Sequence, residues 1–173
     1  MRRVAKKPSH KSDSNKTQGK DAEAQLEAFF AKYLPEIAAH AEAVRAKMRK
    51  HYPSALELVY DNYNALAIGY APTERASDAI FSIAVYPKWV SLFFLQANGL
   101  PDPEKILKGS GNTAKHIVVE SLKTLAEPAV KALMLEAISR ARVPFDTKGT
   151  HRLIIKSVSE KQRPRRPAEP STR

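Results

Sequence analysis

The sequence predicts an α+β fold in which an antiparallel β-sheet is packed with N-terminal and C-terminal helices. Apolar residues recur at helical spacing before residue 50 and again after residue 127, whereas residues 56–95 break into short runs rich in Val, Ile, Tyr and Phe. The connections between those runs are too short for the crossover helix that parallel neighbours need. At 173 residues the chain has the length of one domain with polar ends.

Leu26, Phe29, Phe30 and Tyr33 fall at i, i+3, i+4 and i+7, one face of a helix. Pro35 interrupts that pattern, and Ile37, Ala41, Val44 and Met48 begin a second helix. Strands follow at 56–60, 65–70, 79–86 and 89–95, with turns at 61–64, 72–77 and 87–88. Leu100-Pro101-Asp102-Pro103 stops any strand, because neither proline can donate to a ladder, and a short helical turn is expected at 103–107. Gly109-Ser110-Gly111 forms a further bend before a strand at 115–120. Pro128 then opens the last helix, where its missing N–H costs nothing. Its stripe of Val130, Leu133, Met134, Ala137, Ile138 and Ala141 must face a sheet or another helix. Residues 152–158 read as a strand, and since an isolated strand cannot satisfy its backbone, it is expected on a sheet edge.

The formal charge of +11 is unevenly placed. Residues 1–20 hold seven Lys or Arg against one acid and residues 151–173 hold seven against two, leaving fifteen of each in residues 21–150. The expected organisation is a disordered basic N-terminal tail at 1–20, a single domain at 21–158, and a disordered basic Pro/Arg-rich tail at 159–173. Such tails can hold phosphate backbones, so Arg163, Arg165 and Arg166 are candidate nucleic-acid contacts. No window reaches the roughly 18 consecutive apolar residues of a membrane span, and the first residues lack the apolar segment of a secretory signal, so a cytoplasmic protein is expected. The absence of cysteine excludes disulfides, thiolate zinc sites and cysteine nucleophiles.

Several short motifs combine into a recognisable pattern: Tyr52-Pro53, Tyr60-Asp61-Asn62-Tyr63-Asn64-Ala65, Tyr86-Pro87-Lys88-Trp89-Val90, Leu100-Pro101-Asp102-Pro103, Gly109-Ser110-Gly111 and Lys115-His116-Ile117. Over about residues 35–141 the chain resembles the YdhG-like domains, small bacterial proteins of unknown function that include a relative described as a frataxin-like iron chaperone. The resemblance implies helices packed on an antiparallel sheet and no settled activity.

The chemistry-bearing residues point to binding more than to catalysis. Small residues at 109–114 let backbone N–H groups approach an anion, with Ser110 and Lys115 as added donors, although the spacing is not that of a P-loop. His116 can hydrogen-bond a ligand or Asp102, and Tyr63 and Trp89 can supply apolar walls, if the turns that carry them meet at one end of the sheet. The histidines are scattered without i, i+4 pairing, so no metal site and no cofactor is expected. No nucleophile elbow or other catalytic motif appears. The leading expectation is a non-enzymatic module for a small polar ligand or a protein. The alternatives are a frataxin-like iron-binding chaperone and a nucleic-acid-associated protein acting through its tails.

Overall fold

Three helices lie against one face of a six-stranded sheet in the computed structural model, which describes residues 11–171. α1 spans Lys11–Phe30 and α2 Pro35–His51. β1 (Leu56–Asp61), β2 (Leu66–Ala71), β3 (Phe81–Val85), β4 (Val90–Phe94) and β5 (Lys115–Val118) follow. α3 (Pro128–Ser139) and β6 (Leu153–Val158) complete the elements, and the strand order is β5-β4-β3-β2-β1-β6.

Local sequence accounts for the helix ends. Pro35 and Pro128 open α2 and α3 in the first turn, where a missing N–H breaks no bond. Arg49, Lys50 and His51 close α2 with positive charge at the negative end of its dipole. Leu26 and Phe30 of α1, Val44 and Met48 of α2, and Leu133 and Met134 of α3 join one apolar cluster with Ile68, Ile83 and Leu92 of the sheet. Tyr33 fastens the end of α1 to that sheet. Its hydroxyl donates to the Val85 carbonyl at 2.8 Å and accepts from the Leu66 N–H at 3.1 Å. Burial pushes its pKa up to about 12, against the opposing pull of Arg165.

β1 to β5 form the expected antiparallel meander, but β6 pairs with β1 in parallel, so the sheet is mixed. The path from β1 back to β6 passes through the whole domain and easily supplies the long connection that a parallel pair requires. A helical turn does not form at 103–107. Lys105 takes a left-handed conformation with φ 54°, and the Asp102 carboxylate accepts the N–H groups of Ile106 and Leu107 instead.

Both expected tails are shorter than their composition suggested. The N-terminal boundary moves because α1 runs back to Lys11, as a helix nucleated at its apolar face propagates by one bond per added residue. Residues 1–10 lie outside the described residues. At the other end, residues 159–166 lie along the β1–β2 turn, where Ser159 N–H and the Gln162 side chain both donate to the Asp61 carbonyl. Arg165 is only 5% exposed there.

Candidate functional site: a cleft between the first helix and the edge strand

β1 carries two buried acids with the parity of Val59, on the helix side of the sheet. Glu57 is 0% exposed and receives two hydrogen bonds of 2.8 Å from Arg45 of α2. Tyr70 donates its hydroxyl to the same carboxylate at 3.2 Å, and His151 approaches at 2.7 Å through Nε2. Burial alone would raise the Glu57 pKa, but the bonds from His151 and Arg45 outweigh it and hold the carboxyl at about 2. The group is therefore ionised and can only accept. It follows that Nε2 of His151 carries the proton in this contact, and that Nδ1 is an acceptor whenever the ring is neutral.

His151 lines a cleft of about 1230 Å³ between residues 16–27 of α1 and residues 150–155, which lead into and begin β6. Arg49 stands beside it, its guanidinium 3.4 Å from Nδ1 and 3.7 Å from both Glu23 and Glu57. These are loose contacts. Arg45, by contrast, is engaged at 2.8–3.0 Å by both Glu23 and Glu57. Arg49 thus makes no close hydrogen bond to either acid, and its side chain, 42% exposed, lines the cleft. Sequence reasoning did not single out Glu57, Arg49 or His151. A signal was present, since Glu57 and Asp61 share the parity of Val59 in a strand that is apolar on both faces.

The residues chosen from sequence do not form one pocket. Tyr63 lies in the β1–β2 turn and Trp89 in the β3–β4 turn, at the same end of the sheet. Lys115 and His116 pair with Phe94 and Phe93, at the opposite end of β4. Because strand residues alternate, Lys115 and His116 also fall on opposite faces. His116 stacks on Phe93 with ring centroids 4.8 Å apart. Ser110 is exposed on a loop closed by the paired backbones of Lys108 and His116. Gly109 has a φ of 114°, a conformation that L side chains rarely adopt, so the glycine there serves the turn itself. A recess of about 320 Å³ between Pro101, Pro103 and the start of α3 includes none of Ser110, Lys115 and His116.

The three tail arginines face their own domain. Arg165 donates to Asp61 Oδ1 at 2.8 Å, Arg163 lies over the Tyr63 ring, and Arg166 donates to the Lys32 and Ala31 carbonyls at the end of α1. Comparison with protein-family profiles, curated proteins and solved structures returns no match to the chain.

Proposed function

We propose that this chain is a non-enzymatic small-ligand-binding module whose site is the α1–β6 cleft, where Arg49 holds the carboxylate or phosphate group of a small polar molecule and the outward Nδ1 of His151 accepts a hydrogen bond from a donor on the same molecule. The observation that carries the reading is the pairing of a loosely engaged guanidinium with an imidazole fixed in orientation by a buried carboxylate. Arginine presents parallel donors suited to either anion. The outward nitrogen of His151 faces a guanidinium that has no proton to give up near neutral pH, which favours binding over proton transfer. A cytoplasmic setting and kinship with YdhG-like domains belong to the same proposal. Among the described residues no helix is long and apolar enough to cross a membrane.

Neither alternative is favoured by a specific observation. Among the described residues no three His, Asp or Glu side chains come together as a group able to hold a metal ion. Arg165, a candidate phosphate contact, is buried against Asp61.

Titration calorimetry at low salt with inorganic phosphate and with succinate tests the cleft. Arg49→Gln, which removes only loose contacts, is expected to stay folded and to bind the preferred anion at least ~10-fold more weakly, the effect of losing about 1.4 kcal/mol. Equal affinity in the variant, or no binding by the unaltered protein, would remove the cleft from consideration.

A further inference from the structure

All three helices pack on one side of the sheet; the other side carries a separate apolar cluster built around Leu56, Leu58, Ala71 and Ala79, with no residue from α1, α2 or α3. Strand register arranges this face in rows. Tyr60, Ala67, Ala84 and Ser91 lie side by side across β1–β4, and Leu58, Gly69, Ser82 and Phe93 form the next row. The middle two strands thus carry a floor of small residues, of which Gly69, Ser82 and Ala84 are covered and Ala67 is partly exposed. Tyr60 rises on one side of it and the Phe93–His116 stack on the other. Tyr86 and Trp89, stacked with centroids 4.8 Å apart, stand at the turn end.

Two properties of the face indicate what it takes. No residue of the two rows is charged, and His116, opposite Phe93, is drawn toward its neutral form by burial and then by Lys108. The face nevertheless holds polar atoms without partners. Ser91 is 1% exposed and no group among the described residues bonds its Oγ, and the buried Tyr60 hydroxyl is in the same position. Buried hydroxyls are normally paired, because leaving them unmade is costly. These two belong to one row, three interstrand spacings or roughly 14 Å apart at their backbones, so the reach of the tyrosine brings both toward the floor between them.

We propose that the helix-free face of the sheet is a second binding site, independent of the cleft, for a neutral flat aromatic molecule with a hydrogen-bonding group on its edge. The ring lies over Ala67 and Ala84 beside the aromatic walls, with its polar edge on Ser91 Oγ. Entry requires the Tyr60 ring to turn aside, which releases its enclosed, unbonded hydroxyl to water.

Trp89 is the only tryptophan of the chain, so its indole N–H gives a single resonance that reports on this face. The test titrates full-length protein with 2-naphthol and with its isostere 2-methylnaphthalene while following that resonance. The expected result is saturable binding of 2-naphthol, at least ~10-fold tighter than 2-methylnaphthalene, with the preference lost in Ser91→Ala/Tyr60→Phe. Each single variant is measured as well, so that failure of the double variant to fold leaves the question answerable. An unmoved Trp89 resonance with both probes overturns the proposal. So does equal affinity for the two probes, or a preference that survives removal of both hydroxyls. Arg49→Gln is expected to leave 2-naphthol binding unchanged, which separates failure here from failure of the cleft.

Discussion

Glu57 and Asp61 stand four residues apart on β1, and each joins a helical segment to the chain flanking β6. Glu57 bonds Arg45 of α2 and His151 just before β6; Asp61 bonds Lys32 just after α1 and Arg165 beyond β6. The two buried acids clamp the parallel strand at both ends. Ion pairs of this kind add little net stability compared with apolar packing, but removing one partner leaves a buried charge uncompensated.

Arg45→Met is therefore expected to destabilise the domain by about 3–5 kcal/mol, and Arg45→Met/Glu57→Gln by clearly less than the sum of the two single changes. Denaturant unfolding of the four proteins measures the coupling. Additive effects would mean that Glu57 finds other compensation when Arg45 is gone.

Acid should unfold the protein through these carboxylates. The Glu57 pKa is lowered from its ordinary 4.5 to about 2 in the folded state, so its contribution is complete above about pH 4.5 and is lost as pH falls toward 2. A shift of that size corresponds to roughly 3 kcal/mol. Asp61 acts in the same direction: burial opposes its charge, but bonds from Lys32 and Arg165 prevail and lower its pKa. Thermal melts from pH 5 to pH 2 should show a shallower loss of stability in Glu57→Gln than in the unaltered protein. Identical slopes would contradict the assignment.

Truncation after Val158 should leave a folded but weakened domain. Asp61 keeps Lys32 and loses Arg165, whose side chain is 3% exposed against an acid that is 1% exposed. The melting temperature is expected to fall, and Asp61→Asn should recover part of the loss in the truncated chain while destabilising the full-length one. If truncation has no effect on melting, the contacts of residues 159–166 contribute nothing to stability.

Met134→Asp places a carboxylate among the buried residues of α3, where the native side chain is 5% exposed. Loss of more than about 3 kcal/mol is expected, a value typical of an unpaired buried charge. A melting temperature within error of the parent would show that this face of α3 is free to move away from the core.

The sequence by itself determined the elements whose cause is local. The apolar stripe after Pro128, the alternating short strands at 56–95 and the glycine turn at 109 each follow from a period or a backbone preference spanning a few residues. Tertiary structure decided the rest. Whether an acid on β1 is solvated or buried depends on Arg45, twelve residues away, and on Arg165, more than a hundred residues away. Composition read residues 159–166 as a solvated tail, because composition records charge and not the carboxylate and carbonyls that receive it, and it did not show that residues 11–20 extend α1. The grouping of Tyr63, Trp89, Lys115 and His116 failed for a related reason. Strand direction and register place Lys115 and His116 at the far end of β4 from Trp89 and on opposite faces of the sheet, and register is a property of paired strands rather than of either one.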